Sequence, residues 1–331
     1  MGQTAPAQLS ATQLNESVFD GVVFASSAGD RVIAPRTQAV SAFEADIAVL
    51  RKNGSSKSKN SFYLLNVNTA AWDWFSDANW AATERNLFQH ARVAKEGGLR
   101  GLMLDPEVYE FDLWAYASQA QRGKYSFAQF EAKLRQRGAQ TMRAFERAYP
   151  GITVLSLFAF SAFKAAPNSS YEAAHAGLAG DGSLGLYAAF LEGMLSAASD
   201  AAALIDGYEP SCYHLRPAAF DAGRTAALTD AQLFVAPSLR PKFQRQFKFA
   251  NAVFVDGVMN FLDSARFFGY YLKSDDDRRA LIAHNVYHGL RTSDEFVWVY
   301  AEGVTAYHQR TKRFRSIGKQ HQTRWVRLAR G

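Results

Sequence analysis

The sequence predicts an α/β fold, a single (β/α)8 TIM barrel in which some elements can be irregular or missing. Three observations predict it. Short β-branched and aromatic runs alternate with longer segments of helical period, as the crossover units of a parallel sheet require. Each clear helical segment leads into a strand. The 331 residues, 48% hydrophobic and 21% charged, suffice for one large core, and barrels of this length occur as one unit.

The elements follow in order. Residues 1–17 (MGQTAPAQLSATQLNES) are small and polar and read as a disordered or extended segment, with the barrel and its basic C-terminal segment occupying 18–331. The opening lacks the apolar core of a signal peptide and resembles the start of a mature exported protein behind an added Met. Secreted or periplasmic placement is therefore expected, with the cytoplasm as the alternative. Strands are predicted at 19–24, 62–67, 99–104, 152–160, 203–208, 252–255 and 296–300, with an eighth at 32–34 or near 267–271. Val40, Phe43, Ile47 and Leu50 form a helical stripe before Gly54, and Trp80, Leu87, Ala91 and Ala94 form another ending at Gly97-Gly98. The clearest helix carries Phe127, Phe130, Leu134, Met142, Phe145 and Tyr149, with Ser126 as N-cap and Pro150-Gly151 as the stop. The Gly/Ser/Asn-rich stretches 53–60 and 165–182 are loops, because the alternation resumes after each.

Composition narrows the function classes. The single cysteine, Cys212, cannot form an intrachain disulfide and reads as structural. No run of 18 apolar residues is present, so no membrane partner is expected. The net charge of +6 gathers toward the end in Arg310, Lys312, Arg313, Arg315, Lys319, Arg324, Arg327 and Arg330. That segment is expected to be a solvated face packed through Trp325 and Val326, with polyanion binding as the rival and nucleic acid not an expected partner. His284 and His288 have the spacing of paired metal ligands but lack the intervening Glu of a zinc-protease motif, so neither metal nor cofactor is expected. Gly180-Asp181-Gly182-Ser183 has no preceding strand to make it a phosphate loop, and no Gly-x-Ser-x-Gly elbow occurs.

In a (β/α) barrel the chemistry sits where strands end. Three such ends are acidic: Leu104 runs into Asp105-Pro106-Glu107-Val108-Tyr109, Ile205 into Asp206-Gly207-Tyr208-Glu209, and Tyr300 into Ala301-Glu302. Asp105 and Glu107 alternate by two and would face the same way if the strand continued. Asp206 could join them or anchor a helix. Asn66, Asn68, Trp72, Trp74, Tyr109, Tyr208, Tyr213 and His214 lie near the same ends, and Asp256 follows a further strand. Sugar sites combine flat rings with amides in this way, and cleaving a glycosidic bond takes two carboxyl groups.

At these residues the chain resembles a group of bacterial, largely uncharacterised TIM-barrel proteins classed as candidate glycoside hydrolases. The matching pieces are Phe19-Asp20-Gly21, Ala94-Lys95-Glu96-Gly97-Gly98, Asp105-x-Glu107-x-Tyr109, Asp206-Gly207-Tyr208-Glu209 and Ser293 through Glu302. The run Gly101 to Glu107 is also similar to the strand-end Asp-x-Glu of chitinase-type barrels, whose Glu is the general acid. Those barrels carry another Asp where this chain has Met103, so substrate-assisted chemistry on an N-acetyl sugar is not implied. Relatives would show aromatic residues just after the last Glu, and here Gly303-Val304-Thr305-Ala306-Tyr307 follows.

The resemblance and the strand ends together imply a glycosidase acting on a polysaccharide or oligosaccharide. Glu302 is expected as nucleophile or charge stabiliser, Glu209 as general acid and Glu107 as its alternative. Asp105, Tyr109, Asn66, Asn68, Trp74, Tyr208, Tyr213, His214, Asp256, Trp298 and Tyr300 are expected to bind substrate. The rivals are a carbohydrate-binding barrel without catalysis and a polyanion-binding protein acting through the basic C-terminus. The sequence does not set sugar, linkage, stereochemical outcome or oligomeric state.

Overall fold

The computed structural model describes residues 5–67, 69, 72–109, 111–166, 168–260 and 263–301, and the backbone of 304–308, 313–316 and 323–328. Strands β1 (Gly21–Phe24), β2 (Phe62–Asn66), β3 (Gly101–Asp105), β4 (Thr153–Ser156), β5 (Ala203–Asp206) and β6 (Phe247–Phe249) pair in chain order, all parallel. β7 (Asn251–Phe254) runs parallel to β8 (Phe296–Ala301), β9 (Val304–His308) forms a hairpin with β10 (Arg313–Ser316), and β11 (Thr323–Leu328) lies antiparallel between β1 and β8. The main sheet thus reads β6-β5-β4-β3-β2-β1-β11-β8-β7. Its outermost members, β6 and β7, are separated in the chain by Ala250 alone. The helices are α1 (Ala11–Glu16), α2 (Val40–Lys52), α3 (Asp77–Glu96), α4 (Phe127–Ala148), α5 (Tyr171–Gly177), α6 (Tyr187–Ala197), α7 (Pro217–Leu228), α8 (Arg240–Gln246), α9 (Val255–Met259) and α10 (Asp275–Thr292). None of those described is long and apolar enough to cross a membrane.

Three expectations need correction. Neither candidate for the eighth strand is one: Arg31 makes only an isolated bridge to Val67, and 267–271 holds the 3-10 turn Phe268–Tyr270. The overlooked strands are the three-residue β6, too short to show a period and separated from β7 by Ala250 alone, together with β9, β10 and β11 in the basic C-terminal segment. The opening segment is not extended throughout, because Ser10 and Gln13 close a reciprocal capping box that starts α1 and sends Leu14 into the core. The basic C-terminal segment is not simply a solvated face either, since β11 is hydrogen-bonded on both edges within the main sheet.

Side chains alternate across the strands, so the sheet buries two separate apolar faces. Val22, Phe24, Tyr63, Leu65, Leu102, Leu104, Val154, Leu204, Val297 and Val299 pack against the helices. Val23, Phe62, Leu64, Met103, Leu155, Ile205, Ala252, Phe254, Phe296 and Trp298 pack against one another on the other face. On the helical side α4 and α6 approach until a Cβ on Gly138 would stand 1.9 Å from the Phe190 carbonyl, which only glycine tolerates. α4 begins as expected, with Ser126 accepting from the Gln129 N–H.

His90 on α3 is fully buried, 5.0 Å from the Phe43 ring and 5.5 Å from the Tyr63 ring, with Nδ1 2.9 Å from the Asn86 carbonyl. Burial pushes its pKa down from 6.5 to about 4, against the smaller opposing effect of that hydrogen bond. Below pH 6.5 the unfolded chain takes up a proton that the native ring refuses until about pH 4. Stability from this residue is therefore complete above pH 6.5 and declines as the pH falls toward 4, by about 3 kcal/mol in all. Urea titrations at pH 7 and pH 4.5 should show His90→Gln losing about 2 kcal/mol less than wild type between the two. Equal losses would remove His90 from the acid response.

Candidate active site

The face lined by Trp298 is organised in layers. At the amino ends of the strands Glu295 receives Arg100 at 2.6 Å and Lys248 at 3.0 Å, and the Arg100 guanidinium lies 5.9 Å from the Phe296 ring centroid. Above that, Phe62 of β2 meets Phe296 of β8 edge-on at 5.2 Å. Trp298 comes next, fully buried, its Nε1–H donating to the Gly207 carbonyl at 2.7 Å. A Cβ on Gly207 would stand 2.4 Å from the Ser156 carbonyl and 3.0 Å from the indole nitrogen, so glycine lets the chain leaving β5 close over the ring. These contacts join strands that are not neighbours in the sheet.

Asn66 and Asp105 are register partners at the carboxyl ends of β2 and β3. Alternation from Phe62 and Leu64, and from Met103, puts both on the Trp298 face. The Asp105 carboxylate is buried, accepting from the Glu107 N–H at 3.1 Å and from Asn66 Nδ2 at 3.4 Å. β3 ends there, so Glu107 lies past the strand rather than one repeat further along it, the case in which it would have faced with Asp105. Glu107 is half-buried, and Tyr109, 64% exposed, donates its hydroxyl to Glu107 Oε2 at 2.5 Å. Tyr300 lies on the same face as Trp298 and stacks on Phe254 at 5.2 Å.

The alternatives left open for Asp206 resolve toward a structural role. It shares the helix-facing side with Leu204 and accepts from Ser161 N–H and Oγ, both at 2.9 Å, and from Tyr208 N–H at 3.0 Å. Complete burial pushes its pKa up against the opposing pull of those hydrogen bonds. Tyr208 is left-handed, with φ of 39°, a conformation costly for a bulky residue and typical of functional turns. Its ring packs against α7 where Gly223 has no side chain, 5.6 Å from His214 and 5.4 Å from Phe249. Burial, then the Asp206 charge, push its hydroxyl pKa up. Tyr208 is half-buried, and its packing sets the turn.

Glu209, half-buried, starts the next turn, its N–H donating to the Leu157 carbonyl at 3.0 Å. Ser211 fastens that turn to β7 by accepting from the Ala252 N–H at 2.6 Å and reaching the Ala252 carbonyl at 3.0 Å. Tyr213 is 47% exposed beside the half-buried His214, whose ring lies 5.1 Å from Phe220 and whose pKa burial lowers. Asp256 is fully buried in the first turn of α9, directly after β7. Glu302 and Asn68 lie outside the described residues.

Trp74 was expected as a substrate platform and is instead fully buried on the helical side, 5.9 Å from Trp80 and 5.4 Å from Trp114, its carbonyl accepting from Arg137 Nε. Trp298 is likewise sealed, a floor beneath the site rather than a wall of it. His284 and His288 do share a face of α10, ring centroids 4.5 Å apart, but among the described residues no group of three His, Cys, Asp or Glu is placed to hold a metal. Sequence reading passed over Gly207 and Ser211, which position Glu209; the available signal was a Gly and a Ser flanking an acid at a strand end.

Asn66, Asp105, Glu209 and Asp256 thus stand at or just past the carboxyl ends of four strands, β2, β3, β5 and β7, on the same edge of the sheet. No protein-family model and no curated protein matches the chain.

Proposed function

We propose that this protein is a barrel glycosidase that cleaves a polysaccharide or oligosaccharide with two carboxyl groups carried past its strand ends. The observation that carries the reading is that three acids, Asp105, Glu209 and Asp256, stand at or just past the carboxyl ends of three strands that run in the same direction. The barrel itself is supported by two features of the sheet. Its outermost strands follow one another across Ala250, and one face makes contacts between non-neighbouring strands, such as Trp298 to Gly207. In this mechanism Glu209 protonates the departing oxygen and Glu302 attacks or stabilises the anomeric carbon, while Asp105 and Asn66 hold sugar hydroxyls. Glu107, whose carboxylate accepts from the Tyr109 hydroxyl, remains the second choice of acid. The resemblance to barrel glycoside hydrolases points the same way.

The experiment is release of reducing ends from a panel of soluble polysaccharides by the purified protein. Release from at least one substrate is expected. Tight glycan binding without release would favour a barrel that has lost catalysis. Salt-sensitive binding of polyanions alone, surviving substitution of Glu107, Glu209 and Glu302, would replace the reading with a role for the basic C-terminal segment.

A further inference from the structure

We propose that Tyr270 and Tyr271 form an outer sugar-stacking subsite, so that the substrate is an extended uncharged glycan chain rather than a mono- or disaccharide; the inference rests on the glycosidase reading. Both rings are open to solvent, at 46% and 68% exposure, and stand 5.3 Å apart at 78°, presenting two faces at nearly a right angle. Ring faces in water are best covered by a partner with an apolar face and a polar edge, which is the chemistry of a pyranose.

The pair is held firmly to the site. Gly269 lies so close to α9 that a Cβ there would stand 2.1 Å from the Val258 carbonyl, which presses the turn Phe268–Tyr270 onto the short helix that carries Asp256. Phe267 packs edge-on against Phe254 at 5.3 Å, and Phe254 stacks on Tyr300 at 5.2 Å. Aromatic packing therefore runs unbroken from the interior of the sheet to the base of the tyrosine turn. Arg278 fixes the turn from below, donating from Nε to the Gly269 carbonyl at 3.0 Å and from a terminal nitrogen to the Leu272 carbonyl at 2.8 Å. A rigid pair of exposed rings loses little freedom when a ligand settles on it. Arg266 is laid over Phe267 at 5.6 Å, Arg278 is engaged by the Gly269 and Leu272 carbonyls and by Asp275, and α9 beneath the turn carries Asp256, an arrangement that favours a neutral chain over an anionic one.

The test compares wild type with Tyr270→Ala/Tyr271→Ala on neutral oligosaccharides of increasing length, prepared from whichever polysaccharide the wild type cleaves. The double variant should lose roughly tenfold in kcat/KM on the longest substrates, through KM, and be unchanged on the shortest one cleaved. An equal loss at every length, or none at any, overturns the subsite while leaving the glycosidase reading standing. Retardation in native gels containing the neutral polysaccharides gives a second readout: it should be present in wild type and reduced in the variant. Wild type that neither cleaves nor is retarded by any glycan overturns both.

Discussion

Glu302→Gln and Glu209→Gln are each expected to lower turnover of a natural glycan by about two to four orders of magnitude, and only Glu209→Gln to recover with an aryl glycoside whose leaving group needs no proton. An amide keeps the size and shape of the carboxyl group and one of its acceptor oxygens, so loss of activity reports proton transfer or charge rather than packing. Glu209 is suited to the acid's part because its turn is fixed twice, by its own N–H on the Leu157 carbonyl and by Ser211 on β7. A general acid gains little from such fixing when the leaving oxygen departs unaided, and that is why the aryl substrate separates the two roles. Retained activity in Glu302→Gln would exclude Glu302 from the mechanism. Rescue of Glu107→Gln instead of Glu209→Gln would move the acid to the β3 end.

Arg135→Met is expected to destabilise the fold by about 3–5 kcal/mol, the largest single effect on stability, without touching the strand ends. Arg135 on α4 donates through Nε to Glu192 of α6 and at 2.7 Å to the Tyr171 hydroxyl of α5, and lies 3.6 Å from Glu131. Glu192 is 2% exposed and also accepts from the Ala236 N–H at 2.7 Å and the Tyr171 hydroxyl at 2.8 Å. Glu131, also buried, receives His175 Nδ1. Removing the guanidinium leaves two carboxylates out of water with less countercharge, which costs far more than the pair itself contributes. The exposed pair Arg51–Glu96 makes the contrast, since Arg51→Met should change stability by less than about 1 kcal/mol. Urea unfolding of both variants checks this, and adding Glu192→Gln to Arg135→Met should recover part of the loss. Equal, small effects at the two sites would mean that the buried network is hydrated.

How far the sequence could be read depended on whether a residue's role was local. The capping box at Ser126 and the stripe behind it place α4 within a residue or two, because a cap and a 3.6-residue period need no knowledge of the rest of the chain. Strands β2 to β5 were visible as apolar runs for the same reason. β6 was not, because Phe247–Phe249 holds no period and its pairing with β5 is decided elsewhere in the chain. Acids at strand ends were easy to find but not to orient. Asp105 and Asp206 look alike in sequence, yet one follows Met103 onto the aromatic face and the other follows Leu204 toward the helices. A single residue of phase decides between them, and strand boundaries are not legible to that precision. Trp74 shows the same limit, since its neighbours Trp80 and Phe190 come from α3 and α6 and Trp114 from a turn between β3 and α4.

The position of β11 sets a condition on how the chain is made. β1 is synthesised long before one of its two neighbours, Thr323–Leu328. Until those residues leave the ribosome, β1 carries a row of unmatched amide and carbonyl groups, the kind of open border onto which stray chains add. Nascent protein therefore keeps that border open throughout synthesis of the chain between β1 and β11, and the arrival of β11 is the event that covers it.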